Sequence, residues 1–113
     1  MAAGWHAGDA ARVAGCLTED VRYADPTRYR FQRRDDLLPF FAAPPGGQTC
    51  VWHRIVFDES IQTGAAEYTY TGHRRYHGAV LITLRNGLIS DWREWQHTSD
   101  LEWDRFLEGP ADV

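Results

Sequence analysis

The spacing of apolar residues changes from helical to strand-like part-way along the chain. The chain before Gly8, with Trp5, reads as a helical start. Apolar positions three and four apart then predict one short helix over Ala10 to Leu17 and another over Arg34 to Ala43. Between them, Val21 to Ala24 reads as a brief extended piece. It ends in a turn at Asp25, because the residue before a proline avoids the helical region. The glycine- and proline-rich run at 44–47 then predicts a firm end to the second helix.

From residue 48 to residue 97 the pattern is typical of β-strands. Four strands are predicted, over Thr49 to Phe57, Ile61 to Thr71, Tyr76 to Arg85 and Leu88 to His97. The Asn86-Gly87 pair predicts a tight hairpin, because both central residues of such a turn need positive φ. Ser99 and Glu102 have the spacing of a capping box, which predicts a short closing helix that ends near Gly109. We therefore expect a single α+β domain over residues 1–113, with helices on one side of a curved antiparallel sheet.

Composition narrows the class of protein. A chain of 113 residues with 43% hydrophobic residues can bury a core as one domain, and no apolar run approaches the roughly 20 residues that cross a bilayer. The 16 acidic residues outnumber the 12 basic ones, which disfavours a nucleic-acid partner. The first residues lack the basic and apolar parts of a signal peptide, so we expect a cytoplasmic location. Two cysteines and no phosphate-binding or nucleophile motif lead us to expect neither a metal nor a cofactor.

Side-chain alternation assigns pocket-facing residues in the two middle strands. Tyr68 and Tyr70 share one face of the second predicted strand, and Tyr76 lies on the more apolar face of the third. These faces should look inward, toward the helices. A sheet and helices arranged in this way can enclose a pocket, which is where function is to be sought.

Alternation leaves the first and last predicted strands undecided. In the first strand, either the face of Trp52 or the face of His53 could point inward. In the last strand, the choice lies between the face of Trp92 and Glu94 and the face of His97. Both faces could be covered, one by helices and the other by a second subunit.

Several short segments, taken in order, resemble the SnoaL-like branch of the nuclear transport factor 2-like superfamily. The segments are Ala7-Gly8-Asp9, Leu17 to Val21, Tyr23 to Pro26, the helix with Phe40-Phe41, and Asn86 to Glu94. The resemblance covers nearly the whole chain. It implies a cone-shaped, strongly bent antiparallel sheet packed against N-terminal helices, a deep and largely apolar cavity, and a homodimer formed through the sheet. The superfamily contains isomerases, polyketide cyclases, dehydratases, epoxide hydrolases and proteins that catalyse nothing.

The resemblance also implies two candidate catalytic carboxylates. Asp25 falls where ketosteroid isomerase keeps its general-base aspartate, and Glu94 falls where cyclases of the family carry an acid on the last strand. The same alignment places Trp92 and Glu94 on the cavity side. The tyrosine and second acid of the isomerase would fall near Met1 and Val80, so we do not expect steroid isomerisation by that constellation.

Each candidate also has a purely structural interpretation. Asp25 before a proline can be a turn former that bonds its own backbone. Glu94 can be one half of a salt bridge to Arg54 or Arg85 across the sheet. The aromatic residues can be ordinary core. The candidate substrate-binding side chains are Tyr23, Trp52, His53, Tyr68, Tyr70, Tyr76, Trp92 and His97.

Two hypotheses follow. The first is a cofactor-independent isomerase, cyclase or dehydratase that binds an apolar, carbonyl-bearing small molecule and moves a proton with Asp25 or Glu94 while tyrosines stabilise the enolate. The second is a non-catalytic binding or dimerisation module of the same fold. An open pocket beside a desolvated carboxylate would favour the enzyme, and a pocket filled by aromatic side chains would favour the module.

Overall fold

The computed structural model describes residues 14–41 and 49–109. Within them the elements are β1 (Leu17–Asp25), β2 (Tyr29–Phe31), α1 (Arg34–Phe41), β3 (Thr49–Asp58), β4 (Thr63–Thr71), β5 (Arg75–Arg85), β6 (Leu88–Thr98) and α2 (Trp103–Glu108). The strands form one curved sheet in the order β2-β1-β6-β5-β4-β3. The predicted α+β class is confirmed, as are the four long strands β3 to β6 and their antiparallel pairing.

The hairpin between β5 and β6 forms where the sequence predicts it. Asn86 and Gly87 have φ values of 54° and 79°, so both central residues of the turn lie in the left-handed region. Glycine adopts this conformation without steric cost, and asparagine tolerates it better than most other residues. The turn therefore fixes the register of β5 against β6.

β1 differs from the prediction in both extent and direction. The sequence predicts helix as far as Leu17, but the strand begins at that residue and pairs in parallel with β6, with Tyr23 opposite Trp92. Leu17 and Val21 are fully buried there. Tertiary packing of this kind overrides weak local helical preference. Of the rest of that predicted helix, residues 14–16 are described and form one helical residue followed by a turn. Residues 10–13, the segment before Gly8 and the glycine- and proline-rich run at 44–47 lie outside the described residues.

β2 occupies a segment that the sequence assigns to a polar loop. Its three residues pair antiparallel with the end of β1, with Tyr29 opposite Asp25 and Phe31 opposite Tyr23. The strand is too short to give a periodic pattern of its own. Its position matters, because it brings the Tyr29 side chain to the centre of the sheet.

α1 begins at Arg34, as predicted, and packs against β1 and β2 through Leu37, which is fully buried. Asp35 and Asp36 lie in its first turn, where negative charge complements the helix dipole. Pro39 is the sixth residue, beyond the first turn, where proline is best tolerated. It removes one backbone hydrogen bond, and the helix ends two residues later.

α2 forms without the predicted capping box. Its N-cap is Glu102, which makes no side-chain capping bond, and the Ser99 hydroxyl accepts from the Leu101 N–H at 3.1 Å instead. Gly109, with φ of 70°, follows the helix. α2 packs against the rings of His53 and His77, which point away from the core, so the expectation that all helices lie on one side of the sheet fails for α2.

Neither helix in the described ranges is long and apolar enough to span a membrane.

We call the sheet surface that carries the buried core the inner face, and its opposite the outer face. The inner face holds the side chains of Tyr23, Tyr68, Val80 and Trp92. An irregularity in the β3–β4 register lies between Trp52 and Arg54, and another in the β5–β6 register lies between Thr83 and Leu84. Such bulges bend a strand and reverse the alternation of its side chains.

The bulge in β3 decides the question that alternation leaves open. Cys50 and Trp52 lie on the inner face before the bulge. Ile55 and Phe57, which have the opposite parity, line the same surface after it. Neither set of alternating positions therefore faces inward along the whole strand.

Candidate functional site

The inner face brings the two predicted carboxylates into one neighbourhood. Trp92 pairs with Tyr23 on β1 and with Ile82 on β5, which places Glu94 beside Asp25 on one side and Val80 on the other. Asp25 and Glu94 are each only 1% exposed. Among the predicted binding residues, the same face carries Tyr23, Trp52, Tyr68, Tyr70, Tyr76 and Trp92.

Glu94 is the centre of a hydrogen-bonded cluster. The Tyr68 hydroxyl donates to Glu94 Oε2 at 2.7 Å, and Gln96 Nε2 donates to the same oxygen at 3.2 Å. The Tyr29 hydroxyl donates to Glu94 Oε1. Gln96 Nε2 also donates to the Tyr68 hydroxyl at 2.7 Å. Glu94 is thus held by neutral donors, and the predicted salt bridge to Arg54 or Arg85 is not formed.

The two arginines have other surroundings. Arg85 pairs with Asp20 at 2.5 Å on the exposed rim. Arg54 follows the β3 bulge, is exposed, and lies opposite Glu67 in the register of β3 and β4. Neither guanidinium therefore neutralises Glu94, whose charge state depends on burial and on its phenol donors.

Tyr29 and Gln96 are the cluster members that sequence reasoning missed. Gln96 has the same parity as Glu94, so strand alternation could have found it once the inward face of β6 was known. Tyr29 lies in a short arginine-rich segment without periodicity, and its proximity to Glu94 arises only from the pairing of β2 with β1.

Burial and neighbouring groups shift the pKa values of the cluster. Burial is the main cause that raises the pKa of Glu94, and the negative charge of Asp25 adds to it; hydrogen bonds from Tyr29 and Tyr68 act in the opposite direction. Burial, and then the charge of Glu94, also raise the pKa of the Tyr29 and Tyr68 phenols. Both phenols therefore remain hydrogen-bond donors.

The raised pKa of Glu94 predicts a specific pH dependence of stability. Because the folded protein holds this proton more tightly than the unfolded chain, the contribution of Glu94 to stability falls as pH rises from about 4.3 through the raised folded pKa. Glu94→Gln mimics the protonated acid and lacks this titration. The wild type should therefore lose stability relative to Glu94→Gln as pH rises through that window, measured by urea unfolding at a series of pH values. A difference that is constant with pH, or that grows in favour of the wild type, would contradict the raised pKa.

Asp25 is held at one oxygen only. Oδ1 accepts from the Thr27 N–H at 3.0 Å and from the Thr27 hydroxyl at 2.8 Å. Among the described residues, the buried Oδ2 has no hydrogen-bond partner, and Arg28 Nε is 4.0 Å away. The Arg28 guanidinium lies 5.0 Å from the centre of the Tyr76 ring. Asp25 thus forms the predicted turn and also keeps one carboxylate oxygen available.

Gly78 explains how Tyr68 lies flat across the sheet. Gly78 is opposite both Tyr68 and Gln96 in the strand register. A Cβ at this position would lie 2.8 Å from the Tyr68 hydroxyl oxygen and 2.7 Å from the Trp95 carbonyl oxygen, closer than real Cβ contacts allow. Only glycine therefore allows this placement of the phenol beside Glu94.

An apolar cavity of about 210 Å³ lies on the inner face next to the Glu94 cluster. Its walls include Trp52, Ile55, Phe57, Ile82, Ile89 and Trp92. Neither carboxylate is among the lining residues. Trp92 separates the two regions, because it stacks on Tyr23 with ring centres 5.3 Å apart and meets the edge of Trp52 at 6.5 Å. The notable difference from the expected site is that the acid side chains lie beside this cavity and do not project into it.

His53 and His97 lie on the outer face, away from this cavity. The His53 ring stacks on Trp103 of α2 at 4.1 Å, and the exposed His97 ring is 6.4 Å from Phe106. The alternation of β6 sends His97 to the side opposite Glu94, and His53 lies at the β3 bulge. Their predicted role in substrate binding has no support from their position.

Residues 14–41 and 49–109 hold no group of three or more histidine, cysteine, aspartate or glutamate side chains that could bind a metal ion.

Solved structures define the class to which this architecture belongs. A Kribbella flavida DSM 17836 protein named for ketosteroid isomerase matches with a TM-score of 0.74 and 25% identity, over 89% of this chain and 75% of that one. An LEH-like epoxide hydrolase of M. tuberculosis matches at 0.70 and 18% identity, over 85% and 76%. A Jannaschia sp. CCS1 protein named for SnoaL-like polyketide cyclase matches at 0.66 and 14% identity, over 82% and 75%. Structures described as nuclear transport factor 2-like, from Burkholderia xenovorans LB400, and as cystatin-like, from Silicibacter pomeroyi DSS-3, share the fold, with TM-scores of 0.74 and 0.69.

The family is shown by the sequence match. Residues 1–92 match the SnoaL-like domain, and the chain belongs to that family. No curated protein matches the chain. The resemblance derived from the residues is therefore confirmed.

Proposed function

We propose that the chain is a cofactor-independent enzyme that removes and returns a proton next to the carbonyl group of an apolar small molecule. Isomerases, cyclases and dehydratases of this kind share an enolate intermediate, so the proposal covers all three. One observation carries it: two carboxylates, each 1% exposed, lie side by side on the face that also forms an apolar cavity.

Asp25 is the proposed base. Thr27 fixes one carboxylate oxygen through two hydrogen bonds, which orients the other. Oδ2 has no hydrogen-bond partner among the described residues, so its lone pairs can accept a proton from carbon. Arg28 Nε lies 4.0 Å from the same oxygen and places a positive charge beside it.

The Glu94 cluster is the proposed acid and enolate stabiliser. When Glu94 is ionised, the hydroxyl hydrogens of Tyr29 and Tyr68 both point at its oxygens. Protonation of Glu94 adds one hydrogen to the cluster, and one phenol hydrogen can then be donated to a ligand carbonyl. Donors fixed in a water-poor site stabilise a developing oxyanion more strongly than water does.

The cavity supports the choice of an apolar substrate. Its walls are tryptophan, phenylalanine and aliphatic side chains, and burial of an apolar molecule there removes hydrocarbon surface from water. A ligand seated against Trp92 would end next to Glu94, two residues further along β6. A carbonyl at that end of the ligand would meet the phenol donors.

Hydrogen exchange tests the proposal without knowledge of the natural substrate. The chain is incubated in D₂O with a panel of apolar ketones of monocyclic and bicyclic size, and loss of the proton signal next to the carbonyl is followed by NMR. We expect faster exchange than in buffer for at least one ketone, and no effect on matched hydrocarbons that lack a carbonyl. If no ketone exchanges faster than in buffer, enolate chemistry at this site is excluded for the panel, and the non-catalytic function described next is favoured instead.

The alternative function is a non-catalytic binding module, and one observation favours it. Every hydrogen-bonding oxygen of Glu94 is already occupied by Tyr29, Tyr68 or Gln96, and Asp25 closes its own turn through Thr27. Such saturation is also what a structural polar cluster requires. In that case apolar ketones bind in the cavity, detectable by shifts of the Trp92 indole signal, but do not exchange.

We further propose that the outer face pairs with a second copy of the chain. Trp95 is 44% exposed there, next to Leu81. A groove of about 340 Å³ lies nearby, with Ala65 and Ala79 among its walls. The protruding Trp95 side chain and the groove lie on the same surface, so two copies related by a two-fold axis can each place Trp95 in the groove of the other. Glu67 lines the groove, and Arg93 lies two residues before Trp95 on β6. If Trp95 of one copy enters the groove of the other, Arg93 of the first copy comes close to Glu67 of the second, and the two charges attract.

The dimer proposal predicts that Trp95→Glu is monomeric. Burial of an unpaired carboxylate in place of an indole disfavours association on both copies at once. Sedimentation equilibrium over a range of concentrations should show a dimer for the wild type and a monomer for the variant. Ile61→Glu, at an exposed apolar position in the β3–β4 turn, is the matched control and should remain dimeric. A wild type that stays monomeric at all concentrations would contradict the pairing.

A further inference from the structure

α2 is attached to the outer face mainly through histidine rings. His77 is 1% exposed and packs on Phe106, with ring centres 4.5 Å apart. His53 stacks on Trp103 with its ring plane tilted by only 7°. These contacts take no part in the chemistry proposed for the inner face, because they lie on the other side of the sheet. The buried His77 imidazole therefore serves to hold α2 on the sheet.

Three hydrogen bonds run in series through these histidines. His53 Nε2 is 2.6 Å from the Thr69 hydroxyl oxygen, and that oxygen is 2.8 Å from His77 Nδ1. His77 Nε2 is 2.7 Å from the Leu101 carbonyl oxygen, just before α2. The series thus connects β3, β4 and β5 to the segment that begins the C-terminal helix.

The positions of the hydrogens follow from the acceptor at one end. A carbonyl oxygen only accepts, so His77 Nε2 must carry a hydrogen, and in the neutral ring Nδ1 must then accept. The Thr69 hydroxyl therefore donates to His77. Its oxygen accepts from His53 Nε2, which carries a hydrogen as well. When both imidazoles are neutral, each of the three bonds therefore has one donor and one acceptor, and every hydrogen is donated in the direction from His53 to Leu101.

We propose that His53, Thr69 and His77 form one proton-binding site that takes up a single extra proton without rearrangement and a second only when α2 leaves the sheet. One proton on His53 leaves the three bonds unchanged. One proton on His77 requires the Thr69 hydroxyl to turn and donate to His53 Nε2, and the hydrogen of His53 must then move from Nε2 to Nδ1. With both rings charged, each donates to Thr69, whose own hydrogen loses its acceptor in the series, and two positive charges flank one oxygen.

Burial and the charges around the site act on the pKa of His53. Burial, and then the His77 ring, lower the pKa of His53, while Glu67 on β4 and Asp104 on α2 act in the opposite direction. His97 on β6 lies opposite His77 in the register and adds no negative charge. Further charges near the two histidines are the exposed Arg54 and Asp100 and the ion pairs Arg75–Glu102 and Arg105–Glu108.

The direction of the pH effect follows from these contacts. Because the pKa of His53 is lower with α2 docked than in a free imidazole, protons bind more tightly once the helix has left the sheet. The contribution of His53 to docking of α2 is therefore complete above about pH 6.5 and decreases as pH falls below that value, through the lowered pKa of the docked state. The site ties the C-terminal helix to the proton concentration in the range where histidine titrates.

Long-range ¹H–¹⁵N NMR of the imidazoles in the full chain tests this inference directly. Near pH 8 we expect both His53 and His77 as neutral rings with the hydrogen on Nε2. As pH falls to about 5, the pair should gain one proton while the Trp103 indole signal keeps its position. Uptake of the second proton should coincide with a shift of that signal and with a fall in amide protection of residues 103–108 of at least tenfold. A hydrogen on His77 Nδ1 near pH 8 would overturn the inference without any variant.

Two substitutions of Thr69 and one control complete the test. Thr69→Ser keeps the hydroxyl and should keep the wild-type titration. Thr69→Val keeps the shape but removes the bridge, so the two histidines should titrate independently and α2 protection should fall several-fold. His97→Gln removes a ring of the same surface that lies outside the series, and should leave the pair unchanged. Thr69→Val with wild-type titration, or two charged rings with Trp103 still docked, would overturn the proposal.

Discussion

Replacement of Asp25 by asparagine is expected to slow the exchange of an accepted ketone by a factor of about 10²–10⁴, the usual contribution of a general base. Asparagine is as good a turn former as aspartate, and its amide oxygen can accept the same two bonds from Thr27. Only the basic oxygen is lost, since the amide nitrogen that replaces Oδ2 has no lone pair available for a proton. Stability should change by no more than about 2 kcal/mol.

The chain offers a matched control for this substitution. Asp58 makes the same local turn on the surface, with its Oδ1 accepting from the Ser60 N–H at 2.9 Å and from the Ser60 hydroxyl at 2.6 Å. Asp58→Asn therefore repeats the turn chemistry away from the inner face, and we expect full exchange activity. If Asp25→Asn keeps wild-type activity as Asp58→Asn does, Asp25 is a turn former and not a base.

Replacement of Glu94 by leucine should lower the free energy of unfolding by about 4 kcal/mol. The Tyr29 and Tyr68 hydroxyls would lose their shared acceptor in a site that water does not reach, and each unsatisfied buried donor costs about 1–3 kcal/mol. A domain of this size is stable by only about 5–15 kcal/mol, so the variant should unfold at much lower urea concentration. The measurement is equilibrium urea unfolding followed by circular dichroism.

A second substitution separates lost hydrogen bonds from lost packing. Tyr29→Phe should destabilise the wild type by about 1–2 kcal/mol, because it removes a donor to a buried carboxyl, but should cost little in the Glu94→Leu background. Glu59→Leu, at an exposed position in the β3–β4 turn, is the control and should change stability by less than about 1 kcal/mol. Additive effects of Tyr29→Phe and Glu94→Leu would mean that the cluster is not a coupled unit.

The order of the strands from β3 to β6 and the hairpin at Asn86 could be read from local chemistry. Alternation of side chains and the positive-φ requirement of a tight turn depend on neighbouring residues only, and the chain carries both signals clearly. The inward direction of Tyr68 and Tyr70 followed from the same rule. Here each residue's environment is set by residues close to it in sequence.

Local sequence patterns predicted the wrong structure where a strand departs from regular side-chain alternation, as in β3, or where it is extended because of a distant partner, as in β1. The bulge after Trp52 turns Ile55 inward against the count of residues, and the sequence carries no distinct mark for it. β1 is extended because it pairs with β6, about 70 residues further along the chain, despite a helix-like spacing at its start. His53 was placed among the binding residues for the same reason, since its face depends on the bulge.

The sequence by itself determined the class of fold, the family, and the identity of two acids set among tyrosines and tryptophans, because these depend on residue type, order and spacing. Only the tertiary structure decided what those acids touch. Tyr29 reaches Glu94 through the pairing of β2 with β1, Tyr68 reaches it because Gly78 has no side chain, and α2 covers the histidines on the opposite side. Contacts of this kind join residues far apart in the chain, and no local pattern records them.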